Sequence, residues 1–85
     1  MGVVFTEHAL RKFADLKELG LILAKKQITK ILLNPEHIDR TTDYPEIISS
    51  GKLDKNHVLR VVHRKERGKM IVITFYPAKA GRYYY

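Results

Sequence analysis

The sequence has no cysteine, so neither a disulfide framework nor a cysteine-based zinc site can hold the chain together. Its longest apolar run, GLILA at residues 20–24, is far shorter than the ~20 residues that a bilayer span needs. A basic segment followed by an apolar one is also missing from the N-terminus. From these absences we expect a soluble, cytoplasmic protein that makes no contact with a membrane.

Several catalytic motifs are missing as well. The sequence contains no glycine-rich phosphate loop and no GxSxG elbow, and its four histidines form neither an HxxxH nor an HxH pair. The first two absences argue against nucleotide hydrolysis and serine-hydrolase chemistry, and the third argues against a histidine metal site. We therefore predict a protein with no metal and no cofactor.

Length and composition indicate one globular domain over residues 1–85. A chain of 85 residues buries only ~60–65% of its unfolded surface and does not divide into two cores. Its apolar fraction of 45% and charged fraction of 29% are ordinary for a folded protein, which argues against disorder.

Positive charge is concentrated in one part of the chain. Residues 1–51 hold seven Lys or Arg and seven Asp or Glu, which cancel, so the net charge of +7 comes from residues 52–85. Such an asymmetry creates a directional field that attracts a polyanion, either nucleic acid or an acidic protein segment. The simpler alternative is a solvated basic surface.

The segment FTEHALRKFADLKELG predicts a first helix. Thr6 is a suitable N-cap and Gly20 suits the left-handed conformation that often ends a helix. We expect an apolar side and a polar stripe at positions i, i+3, i+4 and i+7. The expected apolar residues are Leu10, Phe13 and Ala14. The expected polar residues are His8, Arg11, Lys12 and Asp15.

A second helix is predicted from Ala24 to Leu33, ended by Asn34-Pro35. Its expected buried stripe is Ile28, Ile31 and Leu32. The following segment, IDRTTDYPEIISSG, mixes β-branched residues with proline and glycine, which indicates one or two short edge strands around a bend.

The segment HVLRVVHRKERGKMIVITFYP predicts a hairpin of two long strands. We expect a three-residue loop at 66–68, which pairs Arg60 with Thr74 and divides the side chains between two faces. Expected on the face that packs against the helices are Leu59, Val61, Ile71, Ile73 and Phe75. Expected on the other face are Arg60, Val62, Arg64, Met70, Val72, Thr74 and Tyr76. His63 has the core-facing phase and is predicted to be a partly buried structural residue.

Together these elements predict an α+β fold, with two N-terminal helices packed on one face of a twisted antiparallel sheet of about four strands. Tyr83 to Tyr85 are expected to add a last short strand. Its exposed edge is either a seam for a homodimer or an edge blunted by Lys79 and Arg82.

The uncovered face of this sheet carries residue types suited to metal-independent RNA cleavage. That reaction needs a base for the 2′-hydroxyl proton, a cation for the phosphate charge and an acid for the leaving oxygen. His8, near a helix start, favours a neutral ring that accepts a proton. Arg60 can hold phosphate oxygens, Thr74 can donate a hydroxyl, and Tyr76 can donate a proton or stack on a base. The simpler alternative is that His8 makes a local hydrogen bond or is exposed and that the tyrosines pack.

In its order of motifs the sequence resembles a known group of proteins. FTEHAL, a helix ending in LLNP, LRVV, and IVITFYPAK followed by RYY are similar to small toxin-like domains of unknown function related to the RelE and BrnT toxins. These belong to the barnase, EndoU, colicin and RelE ribonuclease superfamily. The resemblance spans nearly the whole chain, although the usual Arg-Gly-Ile lead into the second helix is ELGLIL here.

That resemblance implies a RelE-like fold and an ancestral metal-independent ribonuclease activity of the mRNA-interferase type. It also implies that His8, Arg60, Thr74 and Tyr76 occupy the family's catalytic positions. The residues expected to contact RNA from the rim are Arg11, Lys12, Arg64, Lys79, Arg82 and Tyr83.

Three functions follow as hypotheses. The first is a toxin-type RNA endonuclease, acting on free RNA or on the ribosome and neutralised by an acidic antitoxin protein. The second is a noncatalytic nucleic-acid-binding module that stacks bases on its tyrosines. The third is a protein-interaction domain whose basic surface binds an acidic partner.

Overall fold

Two helices and five strands make up the fold of residues 2–81. They follow the order β1 Val3–Phe5, α1 Glu7–Glu18, α2 Lys25–Leu33, β2 His37–Asp39, β3 Ile47–Lys52, β4 His57–Glu66 and β5 Lys69–Lys79. The computed structural model describes residues 2–81. Its strands form one sheet in the order β1-β5-β4-β3-β2, in which β1 runs parallel to β5 and the other neighbours are antiparallel. The α+β class and the two helices are confirmed, but β1 was not predicted and it makes the sheet mixed.

Helix α1 begins at the predicted cap. The Thr6 hydroxyl accepts a hydrogen bond from the Ala9 N–H at 3.1 Å and donates one to the Ile73 carbonyl at 3.2 Å, which ties the helix start to β5. Gly20 has the expected positive φ, +90°. The predicted apolar side is wrong in part, because Ala9 and Leu16 are buried whereas Leu10 is 43% exposed.

Helix α2 buries the predicted residues Ile28, Ile31 and Leu32. Its N-cap is Ala24, whose N–H donates to the Gln27 side chain at 2.8 Å. The helix crosses the sheet closely at Gly51, where a β-carbon would lie 2.7 Å from Ile31 Cγ1. A glycine at this position therefore sets how near α2 lies to β3.

The β4–β5 hairpin turns through two residues, Arg67 and Gly68, with φ of 52° and 77°. The three-residue loop was wrong, because Glu66 pairs with Lys69. A two-residue turn of this kind needs positive φ at both positions. Arginine rarely adopts a positive φ, so Arg67 is not a residue from which this turn would be predicted.

A β-bulge lies further along the hairpin. His63 pairs with Val72 and Val62 pairs with Thr74, so Ile73 is an extra residue on β5. Side chains along a strand alternate between its two faces. After one extra residue, each following side chain is therefore on the opposite face from the one that simple alternation predicts. Arg60 is consequently opposite Tyr76, and the predicted pairing with Thr74 is wrong.

The bulge decides which side chains meet the helices. Leu59, Val61 and Phe75 belong to the core as predicted, but on the other side of the bulge Val72 and Met70 pack there and Ile71 does not. The core thus lies between the helices and one face of the sheet. Its buried members are Ala9, Leu16, Ile28, Ile31, Leu32, Leu59, Val61, Val72 and Phe75. Within residues 2–81 neither helix has the length and apolar character needed to cross a membrane.

Candidate functional site

Arg60, Thr74 and Tyr76 lie together on the far face, the side of the sheet that points away from α1 and α2. Arg60 is directly opposite Tyr76, and Thr74 is on the same face two pairs further along, opposite Val62. The Arg60 Nε donates a hydrogen bond to the Tyr76 hydroxyl at 3.1 Å, and the guanidinium carbon is 5.8 Å from the tyrosine ring centroid. Three of the four predicted catalytic residues are therefore neighbours.

Arg60 is not exposed, however. Only 3% of its surface is accessible, and its neighbours on the far face are also buried. These buried neighbours are Ile48, Ser50, Val58 and Val62. A phosphate cannot reach a guanidinium in this environment without displacing the groups around it. In this conformation Arg60 and Tyr76 form a cross-strand contact that stabilises the sheet.

His8 is separate from this group. It is exposed on the first turn of α1. That helix buries Ala9 and Leu16 in the core, on the opposite face of the sheet from Arg60. The structure thus does not gather the four predicted catalytic residues into one cluster.

The predicted RNA contacts are spread over the molecule. Arg11 is exposed and Lys12 is half-buried on α1. Arg64 is exposed near one end of the hairpin, and Lys79 is exposed at the other. Arg64 pairs with Ile71, which is eight residues from Lys79, a span of roughly 26 Å along a strand. Arg82 and Tyr83, like the predicted strand from Tyr83 to Tyr85, lie outside the described residues.

Four cations lie within six successive residues at the end of the hairpin, residues 64–69, which we call the basic tip. Its cations are Arg64, Lys65, Arg67 and Lys69, all exposed. Its one acid is Glu66, which accepts a hydrogen bond from Arg64 Nε at 3.0 Å. Sequence interpretation selected only Arg64 here, although the run RKERGK carries the signal in its charge density.

Ser49 and His63 form a buried polar pair on the helix side of the sheet. The serine hydroxyl is 2.8 Å from His63 Nε2, and the two residues are 2% and 5% exposed. Burial, with a smaller contribution from the Arg40 charge, lowers the pKa of His63 and keeps its ring neutral. The predicted burial of His63 is confirmed, whereas its contact with Ser49 was missed because the two residues are 14 positions apart.

Asp39 stabilises the bend that follows β2. Its carboxylate accepts hydrogen bonds from the Thr42 hydroxyl and from the backbone N–H groups of Thr41 and Thr42. These bonds, with that of the Thr42 hydroxyl first, hold the pKa of Asp39 well below its usual range. Asp39 is thus a structural carboxylate that orders a turn.

A metal site is not evident in residues 2–81, where no three His, Asp or Glu side chains are grouped in a way that could hold an ion. Comparison of the chain with protein-family models, curated proteins and solved structures finds no match. The resemblance to the RelE and BrnT toxins therefore stays a prediction.

Proposed function

We propose that this protein binds RNA and that the basic tip holds RNA phosphates. The observation that carries the proposal is the charge of the tip, where four exposed cations surround one acid within six residues. Exposed lysines and arginines release counterions when they contact phosphates, and this release supplies most of the affinity in nonspecific binding. The Arg64 charge is partly neutralised by Glu66, so Lys65, Arg67 and Lys69 are the main contacts.

The backbone at Arg67 supports this proposal. Arg67 has a φ of 52°, a conformation that costs a residue with a β-carbon on the order of 1 kcal/mol. Asparagine or glycine would fit the same turn with less strain. An arginine at a strained and exposed position is consistent with a role in binding.

RNA affinity measured at several salt concentrations tests the proposal. We compare the wild type with the triple variant Lys65→Gln, Arg67→Gln, Lys69→Gln, using fluorescence anisotropy of a labelled single-stranded RNA. The plot of log K against log salt has a negative slope. Loss of three phosphate contacts should make this slope shallower by about 2. A control with the same net charge, Lys26→Gln, Lys30→Gln, Lys55→Gln, changes exposed residues away from the tip.

The control separates local contacts from net charge. If both triple variants lose affinity equally, the tip has no special role and the proposal fails. If the wild type does not bind RNA but its basic tip is needed to bind an acidic protein, the protein-interaction hypothesis takes its place.

A second candidate function is metal-independent RNA cleavage of the toxin type. It is supported by the resemblance to the RelE and BrnT toxins and by the proximity of Arg60, Thr74 and Tyr76 on one face. Because Arg60 is buried against Tyr76, cleavage at this place requires bound RNA, free or on the ribosome, to open their contact. An acidic antitoxin laid across the basic tip would then compete with RNA for the protein.

Cleavage is tested by incubating the protein with RNA in excess EDTA. Tyr76→Phe removes the hydroxyl and keeps the ring, and His8→Ala removes the predicted base. Loss of product in both variants supports the predicted catalytic set. Product that is absent in the wild type, or unchanged in both variants, overturns it and leaves RNA binding unaffected.

A further inference from the structure

A cavity of about 150 Å³ lies between the end of α2 and the sheet. Much of its wall is apolar and comes from Leu32, Ile38, Ile47 and Met70. Its polar lining comes from Arg40, Ser49, His63 and Lys65. The cavity thus combines a hydrocarbon wall with a small set of polar groups, which is the usual composition of a small-molecule site.

The buried part of the polar lining is the Ser49–His63 pair. The hydrogen bond between Ser49 Oγ and His63 Nε2 leaves the other ring nitrogen, Nδ1, buried without a hydrogen-bond partner within residues 2–81. Whichever tautomer is present, Nδ1 is an unsatisfied donor or acceptor. Buried polar atoms without partners are rare in folded proteins, and a ligand or an ordered water commonly satisfies them.

Charge at the cavity favours an anion. Arg40 and Lys65 supply two exposed cations, and no Asp or Glu is among the described residues that line it. Arg40 is near enough to His63 to contribute to the lowered pKa of that residue. The imidazole is therefore neutral, so the ligand's charge would be met by the two exposed cations rather than by the ring.

We propose that this cavity binds a short-chain monocarboxylate. Its carboxylate would pair with Arg40 and Lys65, and its hydrocarbon chain would pack against Leu32, Ile38 and Met70. The volume equals that of about five water molecules, which limits the ligand to a chain of a few carbons. The site shares Lys65 with the basic tip, but its other polar groups, Arg40, Ser49 and His63, do not belong to the tip, so its ligand is tested separately from RNA.

Butyrate is the probe, added to the full chain and followed by NMR at the His63 ring and at neighbouring backbone amides. We expect saturable shifts at His63. Arg40→Gln and Lys65→Gln should each weaken binding about tenfold, the effect of one charge-assisted hydrogen bond. Lys55→Gln removes an exposed lysine that does not line the cavity and should leave the affinity unchanged. Arg40 and Lys65 are exposed, so their variants are expected to fold.

Two further compounds test the chemistry of the ligand. 1-Butanol has the chain without the charge, and inorganic phosphate has the charge without the chain, so both should bind more weakly than butyrate. Binding of either one as tightly as butyrate overturns the assignment. The proposal also fails if His63 shows no saturable shift, or if Arg40→Gln and Lys55→Gln behave alike. None of these outcomes depends on RNA affinity, which is measured separately.

Discussion

Arg60 and Tyr76 face each other across β4 and β5, and the buried arginine donates from Nε to the tyrosine hydroxyl at 3.1 Å. The hydroxyl helps to satisfy a buried charge, and the ring lies beside the guanidinium. Two of the four residues that were predicted to be catalytic thus connect the two longest strands.

Removing the Tyr76 hydroxyl should destabilise the fold. We expect Tyr76→Phe to lower the free energy of unfolding by about 1–2 kcal/mol, because a buried charged donor loses an acceptor. Urea denaturation measures the change. Tyr44→Phe is the control, since Tyr44 is 81% exposed and its variant should match the wild type. Equal stability of both variants would mean that the Arg60–Tyr76 bond contributes nothing.

A methyl group at Gly51 should disturb the packing of α2 on β3. We expect Gly51→Ala to lower the free energy of unfolding by about 1–3 kcal/mol, because its β-carbon would lie 2.7 Å from Ile31 Cγ1. The same substitution made together with Ile31→Ala should cost less than it does alone. A double-mutant cycle by urea denaturation tests this coupling, and strict additivity would argue against a steric cause.

Arg67 should show opposite effects on stability and on binding. We expect Arg67→Gly to raise the free energy of unfolding by up to about 1 kcal/mol, since glycine adopts a positive φ without strain. The same variant should weaken RNA binding because a phosphate contact is lost. Lys69→Gln, which lies outside the turn, should weaken binding without a gain in stability. Thermal unfolding and anisotropy give the two values, and unchanged affinity in Arg67→Gly would contradict the assigned role.

Stability should depend on pH through His63. Its folded-state pKa is lower than the ordinary value of 6.5, so below pH 6.5 the unfolded chain binds a proton that the folded protein does not. The free energy of unfolding should therefore fall as pH drops from 6.5 towards the folded-state pKa. Two cations, Arg40 and Lys65, line the cavity with His63, and the Arg40 charge acts in the same direction as burial. Denaturation of wild type and His63→Gln across this range should show a smaller slope in the variant. Parallel curves would assign the dependence to other groups.

Local signals in the sequence predicted the helices well. The Thr6 cap and the stripe of Ile28, Ile31 and Leu32 rest on contacts within a few residues, where spacing alone determines what is buried. The segment at 38–51 was predicted as one or two short edge strands around a bend. It forms β2, which is at an edge, and β3, which lies between β2 and β4, so the edge position was right only for β2.

The wrong predictions concern features that depend on contacts between residues far apart in the sequence or on irregular backbone conformations. Strand β1 has three residues and exists only through pairing with β5, so no local period marks it. The bulge at Ile73 exchanges the faces of β5, so Met70, Ile71 and Val72, which lie between it and the turn, were placed on the wrong side. The burial of Arg60 also could not be inferred from alternation, which gives the face of a residue but not what covers it.

The pairing of β1 with β5 affects the order in which the protein can fold during synthesis. Val3 to Phe5 pair with a strand made almost seventy residues later, and Thr6 at the start of α1 is bonded to that same strand. In a chain that emerges from the ribosome, α1 can form early. It cannot pack against β5 until that strand has left the exit tunnel. Its apolar side, with Ala9, Phe13 and Leu16, therefore stays in contact with solvent or a chaperone until β5 is available.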